Sequence, residues 1–259
     1  MKKELNVTLL QSDLVWENAT ENRERFENKI YKIATTTDLI VLPEMFTTGF
    51  SMLPKHLAET MKGDTVNWML KVAKTKNSAL CGSIIIKENN SFYNRFLFIT
   101  PSGEIHFYNK RHLFSLAGEN EYYKNDNKQI IINYKGWKIC PLICYDLRFP
   151  VWSRNVSNYD VLIYVANWPK PRVSAWNTLL KARAIENMSY VIGVNRVGKD
   201  ENGHEYTGNS TVLDELGNEM TIIPENIEAT LSTSLCKDKL IASRKKFNFL
   251  NDKDLFEIK

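Results

Sequence analysis

The sequence predicts a layered α/β protein, and three features carry that expectation. Strand-length apolar runs alternate with stretches of helical periodicity in both halves of the chain. Some of the strands continue into meanders, and no repeat, low-complexity tract or Pro/Gly/Ser-rich linker divides the 259 residues. With 43% hydrophobic and 25% charged residues the chain can bury a large core, so one domain over 1–259 is expected, its tail from about 234 to 259 being involved in subunit contacts.

Residues 5–10 alternate as an opening strand, and 17–34 place Phe26, Ile30 and Ile33 on one helical face with charges opposite. Residues 38–42 form a short apolar strand ending at Pro43-Glu44-Met45-Phe46, so Glu44 stands at a carboxyl end. Asp64 is the candidate N-cap of a helix striped by Val66, Met69, Leu70 and Ala73, and 79–86 follows as a strand. Strands over 91–100 and 104–109 flank the turn Pro101-Ser102-Gly103 and deliver Lys110-Arg111-His112-Leu113-Phe114 before a polar loop at 115–128.

The mostly apolar 137–143 reads as a strand covered on both faces, and it stops abruptly at Cys144. Residues 161–166 are another such strand, broken by Asn167-Trp168-Pro169. Trp176, Leu179, Leu180 and Ala184 mark an amphipathic helix before a strand at 190–194. Residues 207–213 and 219–223 resemble a hairpin about 214–218, and 234–247 reads as a closing helix with a charged end.

Thirty-four Lys and Arg against thirty Asp and Glu give a net charge of +4 without concentrated basic blocks, which argues against nucleic-acid binding. Four cysteines with no CxxC pair, and no charged-then-apolar leader at Met1-Lys2-Lys3-Glu4-Leu5, favour a reducing, cytoplasmic setting. The longest apolar runs are strand-sized, far short of a membrane span.

A lone thiol is ordinarily a small buried hydrophobe, and Cys140 keeps that reading. Cys144 differs because it stands at a strand end, where α/β proteins place their chemistry, as do Glu44 and Asn167. A thiol becomes a nucleophile only with a base or positive charge beside it.

Leu42-Pro43-Glu44, 109–114 and Ile143-Cys144-Tyr145-Asp146-Leu147-Arg148-Phe149-Pro150 resemble, in order, the three signature segments of the nitrilase superfamily of carbon–nitrogen hydrolases. The likeness extends through 182–187, 194–198 and Gly208-Asn209-Ser210. Residues 148–155 and Ala166-Asn167-Trp168-Pro169 look most like the omega-amidase branch, which hydrolyses 2-oxoglutaramate and 2-oxosuccinamate. The segment 247–252 resembles that branch's closing stretch, with Asn248 where proline is expected, a departure remote from the chemistry.

The resemblance implies a four-layer α-β-β-α sandwich of the nitrilase type, no metal and no cofactor, and a homodimer or higher homo-oligomer paired through the outer helix layer. It implies Glu44 as the base, Cys144 as the nucleophile that forms a thioester, and Lys110 with the backbone N–H of Tyr145 as the oxyanion's partners. Glu119 resembles the family's second glutamate. Glu121 is the rival, and Glu119 is preferred because Tyr122 then falls at the expected offset.

A keto-acid carboxylate calls for a planar cation, and Arg148 and Arg172 are the candidates. Phe46, Phe114 and Trp168 are candidate pocket walls. Nitrile or N-carbamoyl amino acid substrates, and a non-catalytic binding protein of the same fold, are the alternatives. A papain-like scheme would need His as base, and His112 is the histidine near Lys110.

Overall fold

In the computed structural model, which describes residues 3–221, 223–254 and 256–258, the strands form two main sheets and a small ribbon. The first half opens with β1 (Glu4–Gln11), α1 (Ala19–Tyr31), β2 (Leu39–Val41), α2 (Pro54–Leu57), α3 (Asp64–Lys76) and β3 (Ala79–Glu88). The meander β4 (Ser91–Ile99) and β5 (Ile105–Asn109) follows, then the one-turn α4 (Glu119–Tyr122). The second half runs β6 (Ile132–Tyr134), β7 (Trp137–Ile143), α5 (Pro150–Ser153), β8 (Val161–Ala166), α6 (Val173–Asn187) and β9 (Tyr190–Asn195). It closes with β10 (Val197–Lys199), β11 (Glu205–Thr207), β12 (Thr211–Leu213), β13 (Ala229–Cys236) and α7 (Lys237–Phe247).

One sheet is ordered β13-β1-β2-β3-β4-β5 and the other β12-β9-β8-β7-β6, while β10 pairs with β11 as the ribbon. Three apolar layers separate four structural ones. Leu10, Ile40, Leu42, Leu80 and Leu97 face α1 and α3 through Phe26, Ile30, Val66, Met69 and Val72. Leu5, Val7, Leu39, Val41, Phe96 and Phe98 turn the other way, into a core shared with the second sheet. On that sheet's outer side Trp176, Leu180 and Ala184 of α6 pack in turn. This is the α-β-β-α sandwich expected.

Strand direction decides where the chemistry gathers. β1, β2 and β3 run parallel, and the two antiparallel steps to β4 and β5 restore the direction of β3. The carboxyl ends of β2 and β5 therefore share one edge, and Glu44 and Lys110 come to it from positions 66 residues apart. β7 and β8 are likewise parallel, and they release Cys144 and Asn167 side by side.

Several element boundaries differ from the sequence reading. Gly63, with no side-chain cap bond, is the N-cap of α3, and Asp64 is its first helical residue, well placed for the helix dipole. Asn18, with its side chain accepting from Glu21 N–H, starts α1 later than expected. The tail is not helical from 234: residues up to Cys236 belong to β13, which pairs antiparallel along all of β1. The 214–218 turn does join a hairpin, but it is short: Thr207 lies in the ribbon, β12 begins at Thr211, and among the described residues beyond the turn the bridge is Leu213↔Glu219. Ile222 of the expected return strand lies outside the described residues, as do Met1 and Lys2 of the stretch read as lacking a leader.

Candidate active site

Three sheet-end segments converge on one buried ammonium. Lys110 Nζ lies 3.0 Å from Glu44 Oε1 and 3.0 and 2.9 Å from the two Glu119 oxygens, and all three side chains are fully shielded from solvent. The Cys144 thiol lies within electrostatic reach of Glu44, Lys110 and Glu119. Sulfur, carboxylates and ammonium thus share one site.

Neutral groups clamp these charges from every side. Asn94 on β4 donates from Nδ2 to Glu44 Oε1 at 2.8 Å and to Glu119 Oε1 at 3.3 Å, while its Oδ1 accepts from the Ser83 hydroxyl at 2.8 Å. Ser83 in turn accepts from Met45 N–H at 2.9 Å, so the amide's orientation is set by its neighbours. From the other sheet Asn167 donates its backbone N–H to Glu44 Oε2 at 2.8 Å and its Nδ2 to the Glu44 carbonyl at 2.7 Å. Glu119 Oε2 also accepts the Phe114 N–H at 2.6 Å. Buried carboxylates persist only with this density of donors.

Cys144 begins a 3-10 turn with φ of +42°, in the left-handed region. A non-glycine residue held there costs on the order of 1–3 kcal/mol and survives where its surroundings over-determine it. The kink turns the thiol out of the β7 line toward Glu44.

The electrostatics follow from burial and from two carboxylates facing one cation. Burial pushes the Cys144 thiol well above its ordinary range, and the Glu44 carboxylate beside it pushes further, while Lys110 opposes both. Burial alone would lower the Lys110 ammonium, but Glu119 and Glu44 more than reverse this and hold it above the ordinary lysine range. Glu119 is raised by burial and by Glu44, against the pull of Lys110. At neutral pH Lys110 is therefore a fixed cation and Cys144 a protonated thiol.

Above the thiol is a cavity of about 60 Å³ lined by Lys110, Cys144, Tyr145, Asn167, Trp168 and both Arg148 and Arg172. Its aromatic walls are Phe50, Phe114, Trp168 and Tyr206. The guanidinium of Arg148 lies 5.0 Å from the Trp168 ring centre and that of Arg172 5.1 Å from Phe114. Neither arginine has a carboxylate partner among the described residues.

Of the residues singled out in the sequence, Glu44, Lys110, Cys144 and Glu119 meet directly, and Tyr145, Arg148, Trp168, Arg172 and Phe114 line the cavity above them. Phe46 does not. It points to the outer side of its sheet, edge-on to Phe26 at 5.6 Å and 5.9 Å from Trp68, and Phe50 takes the wall, 5.1 Å from Lys110 Nζ. Glu121 is exposed, leaving Glu119 at the ammonium. Tyr122, whose offset favoured Glu119, is exposed, and the neighbouring Tyr123 is the buried ring, its hydroxyl donating to the Ser51 carbonyl at 2.6 Å.

His112 stands 2.8 Å from Asp146 and stacks on Phe149 at 3.6 Å, outside the residues that line the cavity. The sequence reading missed the roles of Asn94, Phe50 and Tyr206. Asn94 sits inside a strand that reads as ordinary sheet, and only its burial marks it. Among the described residues no group of three or more His, Cys, Asp and Glu is arranged to hold a metal.

The family model for carbon-nitrogen hydrolase matches residues 6–245. The chain is 44% identical over 254 residues to the omega-amidase YafV of Escherichia coli, covering 98% of each. It is 34% identical over 216 residues to a 2-oxoglutaramate amidase of Bacillus subtilis, covering 82% of this chain and 83% of that one. Among solved structures, a CN-hydrolase superfamily protein of Xanthomonas campestris with an arsenic adduct in its active site superposes with a TM-score of 0.97 at 38% identity, covering 100% of both chains.

Proposed function

Given that the chain belongs to the carbon-nitrogen hydrolase family and is an amidase of the nitrilase superfamily, we propose that it hydrolyses the terminal amide of small keto-acid amides, 2-oxoglutaramate and 2-oxosuccinamate, to the acid and ammonia. The observation that carries this reading is the pair of guanidiniums at a cavity floored by Cys144. An anionic carboxylate at Arg148 or Arg172 would leave the far amide directed at the thiol, and two similar relatives are named for omega-amidase and 2-oxoglutaramate amidase activity.

In the proposed cycle Glu44 takes the thiol proton as sulfur attacks the amide carbon. The oxyanion is held by the Lys110 ammonium and the Tyr145 N–H, and protonated Glu44 returns its proton to the nitrogen, which leaves as ammonia. The thioester is then attacked by water, whose proton goes to Glu44, and collapse releases the acid while sulfur regains the proton. Lys110 keeps its charge throughout, as its raised pKa supports. Glu119 supports that charge without needing to titrate.

Ammonia release from 2-oxoglutaramate, 2-oxosuccinamate, glutamine, an N-carbamoyl amino acid and a nitrile tests the reading. The keto-acid amides are expected to be turned over fastest; a preference for the nitrile or the carbamoyl compound would replace the substrate class while leaving the family intact. Cys144→Ala or Cys144→Ser should fold and lose hydrolysis, and wild-type rates in either would remove the thioester. We place this activity in the cytoplasm on the support of four free cysteines. No helix among the described residues is long and apolar enough to cross a membrane.

A further inference from the structure

Asp146 lies two residues past the nucleophile, is fully buried, and no step of the proposed cycle uses it. Its carboxylate nevertheless collects four contacts. Oδ2 accepts from Ile143 N–H at 3.0 Å and from the Tyr108 hydroxyl at 2.8 Å. Oδ1 accepts from His112 N–H at 3.0 Å and stands 2.8 Å from His112 Nδ1.

The origin of these donors gives the arrangement meaning. Ile143 is the last residue of β7, next to Cys144, in the five-stranded sheet. Tyr108 and His112 flank Lys110 at the end of β5, in the six-stranded sheet. One carboxylate therefore joins the strand end that carries the thiol to the strand end that carries the ammonium.

We propose that Asp146 is a positioning residue that bolts the Lys110 segment to the Cys144 elbow across the sandwich, fixing the ammonium where the oxyanion forms. Two further observations support it. The Tyr108 hydroxyl accepts from Arg111 N–H and from Trp152 Nε1, each at 3.1 Å, so its own proton is directed at Asp146. The His112 ring lies parallel to Phe149 at 3.6 Å, a second tie between the same segments. The left-handed φ of Cys144 also needs a neighbour that fixes the elbow, and Asp146 supplies it through Ile143 N–H.

The inference rests on the proposed hydrolysis for its kinetic readout and on geometry alone for a second, chemical one. Asp146→Asn keeps the volume but turns one acceptor into a donor, which must face either a backbone N–H or the Tyr108 hydroxyl. Misplacing reacting groups by about 1 Å costs on the order of a hundredfold, so kcat should fall about 10- to 100-fold with KM changed less than about threefold. Because Lys110 lowers the thiol pKa, its displacement should also move the pH profile of Cys144 alkylation by iodoacetamide to higher pH.

Tyr108→Phe removes one of the four contacts and should lose about three- to tenfold in kcat, scaled from the same source. It is the deciding variant if Asp146→Asn does not fold. Val212→Ala, in β12, separates positioning from mere stability: it should lower Tm and leave kcat per folded molecule and the alkylation profile untouched. Wild-type kcat and an unshifted profile in Asp146→Asn, or in Tyr108→Phe if that is the variant read, would overturn the proposal. If the wild type itself releases no ammonia from 2-oxoglutaramate, the substrate reading fails, and the alkylation profile alone decides the role of Asp146.

Discussion

Glu44 does two electrostatically opposed things to Cys144, and separating them gives a prediction with two signs. As a neighbouring anion it raises the thiol pKa, and as a base it accepts the proton during attack. Glu44→Gln removes the raising influence and leaves that of Lys110, which lowers. The thiolate fraction at pH 7 should rise, so iodoacetamide should label Cys144 faster, while amide hydrolysis should fall by about 100- to 10,000-fold through loss of the base. Slower labelling together with slower hydrolysis would mean that Glu44 serves only to hold the elbow. Arg148 yields a second test at this scale. Arg148→Lys keeps the charge but loses the planar fork, so KM should rise more for keto-acid amides than for an uncharged short amide. Equal rises would take Arg148 out of carboxylate recognition and leave Arg172.

At the scale of elements, what could be read in advance depended on how strongly a segment's own residues dictate its state. β2, β3, β7, β8 and β9 are buried along nearly their full length, so continuous apolar runs announced them, and with β2 and β7 came Glu44 and Cys144 at abrupt strand ends. β13 is different. It is an edge strand of ATLSTSLC, mostly small and polar, whose alternate residues face outward, and its pairing with β1 comes from a partner more than 200 residues away. Phe46 and Phe50 likewise have the same chemistry, and which of them faces the cavity depends on the turn after β2. Gly193 shows how closely one element is fitted to the next: a Cβ there would lie 2.5 Å from Leu180 Cδ1 and 3.0 Å from Trp176 Cζ2 of α6. Gly193→Ala should therefore cost about 1–3 kcal/mol by overpacking. Since Arg183 of α6 donates to the Leu147 carbonyl in the elbow at 2.6 Å, a forced shift of α6 should lower kcat along with Tm. A thermal melt beside a rate measurement checks both, and an unchanged Tm would mean that α6 yields freely.

For the whole molecule, the site exists only because two sheets hold fixed positions against each other. Asn167 and Asp146 each bond across that gap, and the core between the sheets supplies the apolar burial that keeps it closed. The same burial leaves an outer layer with its own consequence. Val151 on α5, Ile185 on α6 and Leu216, in the turn whose Gly217 packs on Ile185, are each 44–55% exposed. Side chains of this size on an outer helix layer are suited to a second copy of the chain, since a two-fold interface is self-complementary and buries each such residue twice. α7 crosses the end of the sandwich opposite the active site, with Arg244 donating to the Tyr159 and Met188 carbonyls, and its Ile241 and nearby Phe249 are also exposed. The expected species is a dimer paired through α5 and α6, with the tail beyond 234 at its margin. Ile185→Glu places a charge at that face without touching the cavity, so light scattering should show the mass halved and kcat changed only through the elbow that α6 supports. A wild-type monomer would rule the dimer out, and a dimer indifferent to Ile185→Glu would move the interface to the exposed α7 surface.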